Sequence, residues 1–371
     1  MIQLQTNGGA HAPNGAAGAD NVLEIRDLHV QFQTKLGLVR AVNGVSFEVQ
    51  RGKVLGVVGE SGCGKSITAF SVMQLVAPPG RITNGQILLR AKDKPPVDIL
   101  SYGRNSDEMR GIRGKHVGMI FQEPMTALNP CYTVGDQITE GILLHITQDA
   151  KEARARAIDI VRRVGLPQPE RLLNTYPHEL SGGMRQRAMI ALALSCHPDL
   201  LLADEPTTAL DVTTQAQILD VMRELQHDFG MSIVFVTHNL GVVAQMCDEV
   251  AVMYLGKIVE RSSVEELFDN PKHPYTRALM RSIPQLGSRR KSRLNVIEGS
   301  VPGAYQQVAG CPFHPRCAVA IPGTCETHVP QLLPVAQDGA SVSCFLHHNP
   351  DGTPALFETP GGAQAVGASP L

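Results

Sequence analysis

The segment VLGVVGESGCGKSITAFSV, residues 54–72, decides the fold of this chain. It opens on an apolar run of strand length, and the residues after position 66 carry the apolar spacing of a helix. Between them stands G-x-x-x-x-G-K-S at 59–66, a glycine-rich turn joining a strand to a helix. In that context the backbone at Gly59, Ser61, Gly62, Cys63, Gly64, Lys65, Ser66 and Ile67 can curl about phosphate oxygens, and the helix N-terminus favours the anion. Lys65 has the reach to meet β- and γ-phosphates, and the Ser66 hydroxyl suits Mg²⁺. The plainer alternative is a glycine-rich turn that binds nothing.

The 371 residues suit two or three domains, or one large domain with additions, and 43% hydrophobic residues supply a packed core. A net charge of -2 gives no bulk attraction to nucleic acid, which is not expected as a partner despite the local Arg289-Arg290-Lys291 patch. The first residues lack a charged stretch leading into an apolar one, so no secretory signal is expected and the chain should reside in the cytosol. The best apolar stretch, AMIALALSC at 188–196, is nine residues long, where a membrane span needs about 20. Membrane association is therefore expected only through partners. In a reducing compartment the eight cysteines are expected as thiols or metal ligands rather than disulfides. Residues 1–21 and 348–371, rich in Gly and Ala, are expected to be disordered tails.

Strand-like runs at 22–32, 44–49 and 53–59 precede helical patterns that alternate with buried runs at 200–204, 232–237 and 249–260. That order predicts an α/β core with antiparallel strands at its edge. LLLADEP (200–206) puts Asp204 and Glu205 at the C-terminal end of an expected parallel strand. There one carboxylate can hold Mg²⁺ while the other polarises an attacking water. Alone, the stretch reads equally well as a buried strand ending in an acidic turn. LSGGMRQR (180–187) precedes a helical run, so Ser181, Gly182 and Gly183 offer either a second anion-binding helix N-terminus or an ordinary Ser181 cap.

Taken in order, these motifs resemble those of the ATP-binding cassette (ABC) ATPases. LSGGMRQR is similar to their signature, Gln122 in MIFQEP to the Q-loop, Ala209-Leu210-Asp211 in TTALD to the D-loop, and His238 in IVFVTHN to the switch histidine. Phe32, fifteen residues before Phe47, falls where the family stacks an aromatic on adenine, although most members carry Tyr. The resemblance covers about residues 22–283. It implies a P-loop NTPase of the ABC nucleotide-binding type, with a RecA-like core, an antiparallel β subdomain and a helical subdomain at about 123–195. It also implies two such domains facing head to tail. Lys65, Ser66, Gln122, Asp204, Glu205 and His238 would bind one ATP, with Mg²⁺ on Ser66, Gln122 and Asp204, and Glu205 as general base. Ser181, Gly182 and Gly183 would reach the partner's ATP, and Asp211 belongs to the same nucleotide-site set. His238 is otherwise a histidine capping a strand end. With one copy of each motif, the chain requires a second ATPase subunit, itself or a paralogue, and the resemblance favours the paralogue.

Three further stretches, YPHELSGGM, NPCYTVG (129–135) and HPYTRALMRSIP (273–284), resemble the ATPase subunits of oligopeptide and dipeptide permeases, the D-type dipeptide subunits above all. The resemblance implies a peptide-import ATPase working with two transmembrane permease subunits and an extracytoplasmic peptide-binding protein. The chain would then be peripheral on the cytoplasmic face of the bacterial inner membrane. Importers of nickel or glutathione, and soluble ABC ATPases without a transport task, are the alternatives. A groove near Gln122 would receive a permease helix, with Met125, Leu128 and Tyr132 as its lining or as core.

From about residue 284 a small Cys-rich C-terminal domain is expected to run to 347. Its Cys311, Cys317, Cys325 and Cys344 are spaced C-x5-C-x7-C-x18-C, unlike short zinc-finger pairs, and by spacing alone they are metal ligands or loop thiols. The resemblance implies a [4Fe-4S] cluster. Zn²⁺ is the alternative, with His314, His328 or His347 as substitute ligands. Cys63 occupies a variable position of the phosphate loop, and Cys131, Cys196 and Cys247 read as packing residues.

Overall fold

A computed structural model describes residues 20–92, 94–123, 127–208, 210–282, 297–335 and 339–355. The chain opens with two long strands, β1 (Asn21–Thr34) and β2 (Gly37–Gln50), paired antiparallel across a short turn. On β2, Val45, Phe47 and Val49 are buried and their neighbours are not, the period-two pattern of a half-buried sheet. With β4 (Gly80–Leu89) and β5 (Val97–Asp98) these strands form a four-stranded sheet in the order β2-β1-β4-β5.

β3 (Val54–Val58) belongs to a different sheet, and all five of its residues are buried. It lies at the centre of an eight-stranded sheet with β6 (Val117–Ile120), β7 (Leu200–Asp204), β8 (Ser232–Thr237) and β9 (Glu249–Tyr254). β3 pairs in parallel with β8 and β9, and β7 with β6 and β8. Unbroken apolar runs suit such strands because both faces are covered. Leu201, Ala203, Ile233 and Phe235 face one apolar cluster, shared with the helices Val134–His145, Ala150–Arg163 and Gly182–Leu194. Leu200, Leu202, Val234 and Val236 face the other, shared with the four-stranded sheet. Among the described residues no helix is long and apolar enough to cross a membrane.

The run 249–260, expected as one strand, is instead a hairpin. β10 (Lys257–Ser263) folds back antiparallel on β9 through Leu255 and Gly256, whose φ angles are 44° and 77°. Two successive residues at positive φ make the tight turn that matches strand twist. Apolar content alone could not show this, because β9 and the first half of β10 are both buried.

The C-terminal segment is joined to the main sheet and packs on it. β11 (Leu333–Pro334) and β12 (Ser341–Val342) extend the main sheet by pairing β12 with β10. Phe313, Phe345, Cys311 and Cys325 share a cluster with Val58, Tyr254 and Tyr275. The segment is short of apolar residues, so it borrows the cassette's core. Past residue 348, Asn349 N–H donates to Thr353 O at 2.7 Å and Ala355 N–H to His347 O at 2.9 Å. Residues 1–19 and 356–371 lie outside the described residues.

Candidate active site

The phosphate loop leaves β3 and enters the helix Lys65–Val72 as the sequence predicts. Two of its glycines are required by close backbone approach. A Cβ on Gly59 (φ +155°) would stand 2.1 Å from Met253 O, and one on Gly64 (φ +106°) 2.2 Å from Ala41 O. The loop is thus pinned between the end of β9 and β2. Lys65 is buried, and its Nζ donates to the carbonyls of Gly59 at 2.8 Å and Glu60 at 3.1 Å.

Ser66 Oγ donates to Asp204 Oδ1 at 2.9 Å, which brings together a hydroxyl and a carboxylate, the hard oxygens that Mg²⁺ prefers. Burial pushes the Asp204 carboxyl up, and its neighbour Glu205 adds to the rise against the Ser66 hydrogen bond. Glu205 follows at φ 46°, a left-handed conformation rare for a side chain this long, and its N–H donates to Val236 O at 2.9 Å. Three side chains converge on its carboxylate. Gln122 Nε2 donates to Oε2 at 3.2 Å, Thr208 Oγ1 to Oε2 at 2.9 Å, and His238 Nδ1 lies 3.0 Å from Oε1. Burial pushes the Glu205 carboxyl up, but the His238 and Thr208 hydrogen bonds outweigh it and hold it below its ordinary value. A carboxylate kept ionised beside a cation site is suited to take a proton from water.

The structure gathers Ser181, Gly182, Gly183 and Asp211 elsewhere. Ser181 caps the helix Gly182–Leu194, its Oγ accepting from Met184 N–H at 3.4 Å. Gly183 lies against Thr214, whose N–H and hydroxyl donate to Asp211 at 2.9 and 2.7 Å. Ala209 of the same motif lies outside the described residues. Phe32 lies over its register partner Gly80 on β4 and does not line the cavity of about 220 Å³ beside Gly62, whose wall includes Arg40, Asn43 and Lys257.

Three residues escaped the sequence reading. Thr208 gave no signal beyond its place in TTALD. Gln186, buried, donates from Nε2 to Pro206 O and so ties the signature helix to the turn after Glu205. Arg316 reaches the phosphate loop from the far end of the sequence, bonding Glu60.

Of the expected groove residues, Leu128 is core and Tyr132 is 56% exposed, while Met125 lies outside the described residues. Cys131 is exposed and is therefore not the packing residue expected, because it stands in the short loop before the Thr133 cap.

Cys311, Cys325 and Cys344 are buried and Cys317 is half-buried. Burial pushes Cys311 up to about 11 and Cys344 up to about 12, with Cys317 and Cys325 adding to both. Cys325 Sγ accepts the Ile321 backbone N–H at 3.3 Å, and backbone N–H groups at Phe313, Val319 and Leu346 act against the burial effect at Cys311, Cys317 and Cys344. Such donors suit thiolate ligands. Among the described residues, however, no group of three or more His, Cys, Asp or Glu side chains is arranged to hold a metal ion.

The ABC transporter family profile matches residues 42–208, and the profile of the oligopeptide/dipeptide transporter C-terminal region matches 259–325. A Brucella melitensis biotype 1 protein named as a peptide import ATP-binding protein is 51% identical over 320 residues, covering 85% of this chain and 94% of that one. The dipeptide transport ATP-binding protein of Bacillus subtilis is 46% identical over 329 residues, covering 88% and 95%. A dimeric bacterial ABC transporter cassette of known structure superposes with a TM-score of 0.57 at 25% identity, over 65% of this chain and 98% of that one. The chain belongs to the peptide-import ATP-binding proteins of the ABC transporter family.

Proposed function

We propose that this chain powers a peptide importer, with ATP held on residues 59–66 and Glu205 activating the attacking water. The observation that carries the reading is the convergence of Gln122, Thr208 and His238 on the Glu205 carboxylate, one residue past the Ser66–Asp204 pair. As a nucleotide enters, Lys65 Nζ would leave the Gly59 and Glu60 carbonyls for the β- and γ-phosphate oxygens. Ser66, Asp204 and Gln122 would hold Mg²⁺, which when bound neutralises charge on the phosphoryl group being transferred. The Glu205 carboxylate takes the water proton. His238 orients that carboxylate and stands ready for the γ-phosphate.

Ser181, Gly182, Gly183 and Asp211 are assigned to the nucleotide of a second ATPase subunit, a paralogue, in a closed pair like the dimeric cassette of similar fold. Two permease subunits, an extracytoplasmic peptide-binding protein and a position on the cytoplasmic face of the inner membrane complete the assembly. The cavity of about 480 Å³ at Tyr132, Asp136 and Glu140 is the proposed seat of a permease helix. For the four C-terminal cysteines we favour a [4Fe-4S] cluster in a structural role. Cys311, Cys317, Cys325 and Cys344 would hold it through thiolates, with Zn²⁺ on the same residues as the alternative.

Glu205→Gln tests the chemistry, with nucleotide binding expected to persist and turnover to vanish; substantial residual hydrolysis would remove Glu205 as the base. Recovery of the tagged chain from membranes without any integral membrane protein would refute the transport role. Stoichiometric iron and sulfide in anaerobically purified protein support the cluster, and a colourless zinc protein sinks it.

A further inference from the structure

Glu60, the residue after the first glycine of the phosphate loop, is held from three directions. Its carboxylate receives a two-pronged ion pair from Arg316, Nη1 to Oε2 at 2.7 Å and Nη2 to Oε1 at 3.1 Å. Its backbone N–H donates to Tyr275 Oη at 2.9 Å, and its carbonyl accepts Lys65 Nζ at 3.1 Å. The Arg316 side chain is 3% exposed and that of Glu60 24%. The guanidinium lies 5.9 Å from the Tyr254 ring centroid and 6.0 Å from that of Phe313, and its Nε donates to Glu298 O at 3.2 Å. Arg316 ends the short turn His314–Arg316, between Cys311 and Cys317.

A buried ion pair by itself is weak evidence for anything beyond folding. The location of this one adds more. Its acidic member is part of the loop that receives the phosphates, and the same residue's carbonyl holds the lysine that must move onto them. An unneutralised carboxylate there would repel the triphosphate, and an unanchored Glu60 would loosen the loop.

We propose that Arg316 is a positioning residue for ATP: reaching out of the cysteine loop, it neutralises and fixes Glu60, so the C-terminal segment keeps the phosphate loop in its nucleotide-receiving shape. The proposal rests on residues 59–66 being the ATP site. It gives the C-terminal cysteine segment a role in nucleotide affinity, and by reciprocity ATP binding tightens that segment.

Fluorescent ATP-analogue binding and steady-state kinetics on the full chain test it, using wild type, Arg316→Met, Arg316→Lys, Glu60→Gln and the Glu60→Gln/Arg316→Met double variant. Arg316→Met is expected to weaken binding about tenfold and to raise KM in step, with kcat within about twofold. Arg316→Lys, which keeps the charge but loses the fork and the ring contacts, is expected to bind between wild type and Arg316→Met. The double variant is expected to recover most of the lost affinity, because no unpaired carboxylate then faces the phosphates.

Wild-type affinity in a folded Arg316→Met variant overturns the latch, and so does a double variant no tighter than Arg316→Met. Failure of the wild type to bind nucleotide overturns the ATP-site reading itself. Should Arg316→Met not fold, hydrogen exchange on the wild type decides the matter. A non-hydrolysable ATP analogue should slow exchange at residues 311–318, and unchanged exchange there refutes the coupling.

Discussion

At the scale of single residues, Glu205 shows how the site sets its own chemistry. Burial disfavours its charge, and two hydrogen bonds, from His238 and Thr208, more than restore it. As the proposed general base, Glu205 would work only when ionised, so hydrolysis should fall as pH drops through its pKa. Thr208→Val removes one of the contacts that lower that pKa. The acidic limb of the kcat profile should therefore move to higher pH, with nucleotide affinity unchanged. Rate profiles of wild type and variant measured side by side will show this, and an unmoved limb would deny Thr208 any part in tuning the carboxylate. The sequence pointed to Asp204, Glu205, Gln122 and His238 because each sits in an ordered motif. It could not single out Thr208, because a threonine in a turn has no chemistry of its own until a carboxylate is placed 2.9 Å away.

At the scale of elements, period-two and unbroken apolar runs made the strands of both sheets legible, and the glycine-rich turn made the phosphate loop so. The hairpin of β9 and β10 and the docking of β12 were not legible, because each depends on pairing between segments rather than on local pattern. The helix Pro274–Arg281 illustrates a third case, a cap whose energetics appear only in the fold. His273 caps it, Nδ1 accepting from Tyr275 N–H at 3.0 Å, which only the unprotonated nitrogen can do. Complete burial, with His347 nearby, pushes the ring down from 6.5 to about 3. Between those values the unfolded chain binds a proton that the folded chain refuses, so this stability is intact above about pH 6.5 and lost as pH falls. His273→Asn keeps a cap acceptor without the titration. Denaturant unfolding should show the wild type losing about 1.4 kcal/mol more than the variant between about pH 7.5 and 5.5. Equal losses would mean that the ring titrates normally in the folded chain.

At the scale of the whole molecule, the C-terminal segment and the cassette should unfold as one unit. Phe313 makes the case. It is buried, with its ring centroid 5.3 Å from Tyr254 on β9, 5.4 Å from Tyr275 and 5.8 Å from His273. Tyr254 and Tyr275 pack on each other at 4.7 Å, and Tyr275 in turn holds Glu60 of the phosphate loop. A cavity at Phe313 is therefore felt in the cassette's own core and at the nucleotide site. Phe313→Ala should cost about 3–5 kcal/mol, the usual range for emptying a buried aromatic site. The loss should appear as a single shifted transition in calorimetry, and saturating nucleotide should raise the midpoint of that same transition, since a ligand stabilises whatever unfolds with its site. Two transitions, with only the upper one raised by nucleotide and only the lower one shifted by the substitution, would show a C-terminal segment that folds independently of the cassette. In that case the junction at Tyr254, Tyr275 and Phe313 would be a contact between neighbours rather than a shared core.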